Sequence, residues 1–246
     1  MKIIKREIAD YRILLRNIPS LVVTLFVVSV IMMNLLANKE FISVKYLALD
    51  CGFFLSWISF LCMDIICKRF GPKAAVKISV LAMIINLAVC IIFKLLSLSP
   101  GMWGEFYSTG DMAVNDALNA TIGGSWYVVM GSSIAMVCAA LTNAFINHSV
   151  AKRLKKNNFG AFAARSFAST MIGQFVDNFV FATIVSLHFF GWTWTQVFFC
   201  SLTGAVAELL CEVLFSPFGY RVSRNWEKER VGEQYIRFAG KIKSFA

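Results

Sequence analysis

Between residues 165 and 190 the chain reads RSFASTMIGQFVDNFVFATIVSLHFF. Ser166, Thr170, Gln174 and Asn178 recur at every fourth position, and Ser186 continues the series after Ala182. A second line runs Ser169, Gly173, Asp177. On a helix, residues three and four apart are neighbours, so both lines lie on one face. Hydroxyl, amide and carboxylate groups arrayed in this way can hydrogen-bond a polar guest, and a carboxylate can also hold a proton or balance a cation. The same stretch is long enough to cross a bilayer, for which about 20 mostly apolar residues suffice. Asp177 lies about 12 residues past Arg165, roughly 18 Å of helix rise, which places it near mid-membrane. An Asp at that depth costs on the order of 2.5–3.5 kcal/mol, so such a residue is a functional candidate by default. The simpler reading of Asp177 is a hydrogen bond to a neighbouring helix.

Other polar residues sit inside apolar runs. Glu208 and Glu212 stand one turn apart on a line that begins at Gly204 and ends at Ser216. Turned to lipid, two charged carboxylates would cost on the order of 5–7 kcal/mol. They are therefore expected to face inward, where mutual repulsion favours sharing a proton. Pairing of one Glu with Arg165 or Lys68 is the alternative. Gly131, Ala135, Ala139, Asn143 and Asn147 are also four apart; small residues let backbones approach, and Asn143 carries that face onward. Asn34 and Asn86 are lone amides within spans, and Asp64 stands one turn before Lys68, either as a local ion pair or as a gate. The expected binding set is thus Asn34, Asn86, Asn143, Gln174, Asp177, Asn178 and Glu212. Asp64, Arg165 and Glu208 are the coupling or gating candidates.

Several chemistries are disfavoured. The seven Cys and two His form no CxxC or Cys/His cluster, so neither zinc nor a disulfide framework is expected. No P-loop, dinucleotide fingerprint, hydrolase elbow or HExxH occurs, so neither an enzyme nor a cofactor is expected.

These residues need spanning helices to hold them. Of 246 residues, 58% are hydrophobic and only 15% charged, unlike an ordinary soluble domain. Apolar runs predict six spans, at 18–36, 46–67, 74–98, 125–147, 167–190 and 195–218, in an all-α polytopic fold over residues 18–218. The net charge of +10 is distributed in alternation. Lys and Arg crowd the stretch before the first span, the connections after the second and fourth, and the tail 219–246, which predicts both termini on the cytoplasmic side. That placement speaks for a membrane and against a nucleic-acid partner. Residues 1–17 alternate basic and apolar positions and predict an interfacial helix. The long connection 99–124, with Trp103 and Trp126 at its ends, predicts a cap over the outer mouth.

Asn34-x4-Lys39, Leu49-Asp50-Cys51-Gly52, Asp64, Arg69-Phe70-Gly71, Arg165-Ser166-x2-Ser169-Thr170, Gln174-x2-Asp177 and Glu212-x4-Pro217-x2-Tyr220 together resemble the queuosine-precursor transporters, also called the vitamin-uptake-transporter family. The likeness covers nearly the whole chain and is most specific at Gln174-x2-Asp177. It departs from the family pattern at Lys68, Ala140, Asn143 and Glu208. The resemblance implies import of 7-deazaguanine bases, the cyano or aminomethyl forms or queuine, for salvage into transfer RNA. It implies a bacterial plasma-membrane protein driven by protons or sodium, and leaves a homodimer open. The alternative is a substrate-binding subunit of an energy-coupling-factor importer, which is also six-helical. Such subunits dock through an AxxxA face on the first span, and this chain has none there. A membrane enzyme is the third and weakest reading.

Overall fold

The computed structural model describes residues 2–153 and 171–244. Helix α1 (Lys2–Asn17) is followed by α2 (Ser20–Leu36), a hairpin of β1 (Glu40–Val44) and β2 (Leu47–Asp50), α3 (Phe53–Phe70) and α4 (Pro72–Ser97). Then come the short α5 (Gly104–Thr109) and α6 (Met112–Ile122), α7 (Trp126–Arg153), α8 (Met171–Phe189), the 35-residue α9 (Trp194–Lys228) and α10 (Glu233–Ser244).

Among the described residues, four helical stretches are long and apolar enough to cross a membrane: Pro72–Ser97, Met112–Ala139, Met171–Phe189 and Trp194–Phe215. A fifth results if the pair Glu7–Asn17 and Ser20–Leu36, bent by 107°, counts as one span. The 18-residue α3 carries Asp64, Lys68 and Arg69. The chain is therefore an all-α polytopic membrane protein in its main architecture. No more than a third of the most apolar window in any of the four spans is buried. On α4 the residues Ile84, Leu87, Ile91 and Leu95, spaced three and four apart, all point outward. Such a continuous apolar stripe belongs against lipid.

The expectation of a helix from residue 46 is corrected. Residues 40–50 form an antiparallel hairpin, with Ile42 opposite Leu49 and Val44 opposite Leu47, and α3 begins only at Phe53. The segment EFISVKYLALD is rich in β-branched and aromatic residues, which favour a pleated, half-buried surface. At the other end of the chain, the last apolar helix does not stop at Phe218 but runs through Pro217 to Lys228.

The chain divides into two compact units, and α2, α3, α4 and α9 contribute residues to both. The first comprises 1–31, 55–86 and 212–246. Its core is Leu14, Phe26, Ile66, Phe70, Ile78 and Tyr235 with their neighbours. Phe70 packs edge-on against Trp226 and tilted against Tyr235. The turn into α10 needs left-handed backbone at Gly232, whose φ is 71°. A Cβ there would sit 2.1 Å from Phe70 Cε1. Gly232→Ala is expected to cost about 2–4 kcal/mol, from left-handed strain of about 1–2 and overpacking of about 1–3. Thermal unfolding of the detergent-solubilised variant measures this.

The second unit comprises 32–54 and 87–211. Here α7 and α8 approach closely at Gly131, where a Cβ would meet Val185 Cγ2 at 2.4 Å. The small-residue line read in the sequence thus performs the packing expected of it. Val185 belongs to a π-turn in α8, Ala182–Ser186. Tyr127 stacks on Phe189 at 4.1 Å, and its hydroxyl donates to Asn38 Oδ1 at 2.9 Å. In the connection 99–124, Trp103 Nε1 donates to Asn119 Oδ1 and Asp111 caps α6.

Candidate functional site

Gln174, Asp177 and Asn178 share a face of α8, as their spacing requires. Asn178 Nδ2 donates to Glu208 Oε2 on α9 at 3.1 Å. This contact exists because Gly204, one turn before Glu208, has no side chain. A Cβ there would lie 3.1 Å from Asn178 Nδ2. Asp177 and Glu208 are half-buried, and the Asp177 carboxylate lies within electrostatic range of Glu208.

A third carboxylate, Asp50, also acts on Glu208. Asp50 was not among the residues expected at the site. It ends β2, where its Oδ1 accepts from the backbone N–H of Gly52 at 2.7 Å and of Phe53 at 3.3 Å, which caps α3. Glu40 stands opposite it across the hairpin. Burial pushes the Asp50 carboxyl up to about 6, opposed by the two backbone hydrogen bonds and reinforced by the charge of Glu40. The hairpin is held by Trp192 Nε1, which donates to Glu40 Oε1 at 2.5 Å, and by Tyr46, edge-on to Phe199 at the start of α9. The alternation in residues 40–50 was the signal for this hairpin. Nothing local to it pointed to Glu208.

Among the described residues no salt bridge involves Asp50, Asp177 or Glu208. Nor does any group of three His, Cys, Asp or Glu stand ready for a metal ion. Gln174 is 8% exposed, and its Oε1 has no hydrogen-bond partner. Apart from Asp10 Oδ1, it is the only described buried side-chain oxygen or nitrogen so placed. The free oxygens of Asp50, Asp177 and Glu208 therefore keep accessible surface, although they lie among packed helices. The arrangement offers an orphaned amide acceptor and three carboxylates, and supplies no described cation to balance them.

The remaining expected residues fall as follows. Asn34 is buried on α2 within the second unit. Asn143 lies on the helical backbone of α7, and Glu212 on that of α9, where it is counted in the first unit. Among the described residues the electrostatic partners of Glu208 are Asp177 and Asp50, and the Glu212 side chain lies outside the described residues. Asn86 is buried, and both it and Asp64 belong to the first unit. Asp64 has Lys68 as its charged neighbour, and the Lys68 ammonium sits 3.8 Å over the Tyr220 ring. Arg165, with Ser166, Ser169 and Thr170, lies outside the described residues.

A family model described as "Putative vitamin uptake transporter" matches residues 50–222, more than two thirds of the chain. Neither the curated proteins nor the solved structures contain a match.

Proposed function

The chain belongs to the vitamin uptake transporter family, and from that premise we propose that it imports 7-deazaguanine bases, the cyano or aminomethyl precursors of queuosine or queuine itself, for salvage into transfer RNA. The observation that carries this reading is the orphaned Oε1 of Gln174 on the same helical face as Asp177. A buried acceptor without a partner costs about 1–3 kcal/mol, and a bound ligand removes that cost. A deazaguanine presents a ring N–H beside an exocyclic amino group, which a carboxylate accepts as a pair. Its carbonyl needs a donor, and the amides of Gln174 and Asn178 are at hand. Sites built on buried hydrogen bonds reject analogues that leave those groups unpaired by large factors. Flux through such a site is driven by an ion gradient, with the carboxylates as the groups that respond to it.

Uptake of a labelled base by bacteria that cannot synthesise it tests the reading. Expression of this chain is expected to restore uptake, and Asp177→Ala to lower it by about tenfold or more, the effect of losing a charge-assisted pair worth about 1.5–3 kcal/mol. Direct binding of a panel of purines and deazapurines to the purified protein fixes the substrate. Unchanged uptake in Asp177→Ala removes that residue from the site.

A further inference from the structure

We propose that Asp50, at the end of the β-hairpin, is a proton-loading residue: it takes up the proton whose movement drives transport and passes it to the Glu208–Asp177 pair. The inference rests on the transporter reading above and adds to it a residue and a route.

Four observations converge on Asp50. Its two oxygens differ. Oδ1 is committed to the N–H groups of Gly52 and Phe53, while Oδ2 makes no hydrogen bond among the described residues. The carboxyl is therefore oriented by the backbone and free on one side. Among the described residues its charged neighbours are acidic: Glu40 from β1 and Glu208 from α9, with Asp177 of α8 next beyond Glu208. The cations nearest in sequence, Lys39 and Lys45, make no ion pair with it. Finally, the Gln174 amide oxygen, buried and unpaired, stands three residues before Asp177 on the same face of α8.

The step balances without redox chemistry. A hydronium ion on the driving side gives its proton to Asp50 Oδ2 and leaves as water. That O–H bond breaks as the proton moves to the Glu208 carboxylate, and Asp50 returns to its charged form. Release from the acidic pair on the opposite side completes the transfer of one proton. A carboxyl that titrates near 6 loads as the pH falls through that value and unloads above it. Accumulation should therefore rise as the driving side is acidified.

Asp50→Asn is the discriminating variant. Asn caps a helix about as well as Asp, so the Gly52 and Phe53 contacts survive while the proton site is lost. Wild type and variant are compared in proteoliposomes with labelled 7-cyano-7-deazaguanine in two assays, exchange at equal pH and accumulation driven by a pH gradient. The purified proteins are also titrated by infrared spectroscopy for the carboxylic-acid carbonyl band. The expected result is exchange kept, gradient-driven accumulation lowered by about tenfold or more, the scale of a typical coupling between sites, and loss of a band that appears in wild type as pH falls through about 6. Accumulation equal to wild type overturns the proposal. So does joint loss of exchange and accumulation with the band intact, which would make Asp50 a binding or folding residue. Accumulation driven by sodium at equal pH overturns it as well. Absence of exchange in wild type, with the band present and lost on substitution, refutes the deazaguanine reading while the proton site stands.

Discussion

Gln174→Leu is expected to stabilise the protein and, at the same time, to disable it. Leu approximates the volume of Gln and removes the Oε1 that now lies buried without a partner. An unmet acceptor of this kind costs about 1–3 kcal/mol, and an apolar replacement of similar shape recovers part of that. Thermal unfolding in detergent should therefore show an equal or higher midpoint. Transport and base affinity should fall by about 10–100-fold, since the same 1–3 kcal/mol is lost from the bound state. The opposed signs separate a functional orphan from a packing defect. A variant that is more stable and transports normally would assign the unmet acceptor to no ligand.

The largest expected loss of stability is at Lys77. Its ammonium pairs with Glu7 Oε2 at 2.7 Å and with Asp10, and it and Asp10 are each about 15% exposed. The Tyr11 hydroxyl donates to the Lys77 carbonyl, so α1 is fastened to α4 at this point. Asp10 already has one buried oxygen without a partner. Lys77→Met leaves that carboxylate uncompensated, and breaking a buried pair from one side costs about 3–5 kcal/mol. Because Glu7 remains more than half exposed, its share is small. Joint replacement with Asp10→Leu should return most of the loss, since exchanging a whole buried pair for apolar groups is often close to neutral. Unfolding midpoints of the two single variants and the double variant decide this. A Lys77→Met midpoint equal to wild type would show that the pair is not buried in the membrane-embedded protein.

Much of this protein was legible one segment at a time. The apolar runs foretold membrane-crossing helices, four of them, or five with the bent pair, among the described residues against six expected, because a bilayer imposes length and hydrophobicity locally. The 3.6-residue period placed Gln174, Asp177 and Asn178 on one face, and the structure keeps them there. The line through Gly131 marked a close helix contact for the same reason. Residues 46–50 of the hairpin were read as the start of a helix because their apolar residues satisfy a short helical window as well as a strand. Lys77 read as one of a run of inner-loop cations, and only the fold shows α1 supplying its partners.

The site divides in the same way. Periodicity along one chain segment was sufficient to line up the polar stripe of α8 and to place Glu208 on a helix. Which carboxylates come within electrostatic range of each other depends on residues more than a hundred positions apart, as with Asp50 and Glu208. The hairpin, held by Trp192 and Tyr46, brings Asp50 within electrostatic range of Glu208. Local pattern is set by the solvent each segment must face, and that is written residue by residue. Pairing across the chain is set by how side chains such as Gly204 and Asn178 interlock, and that exists only once the helices have packed.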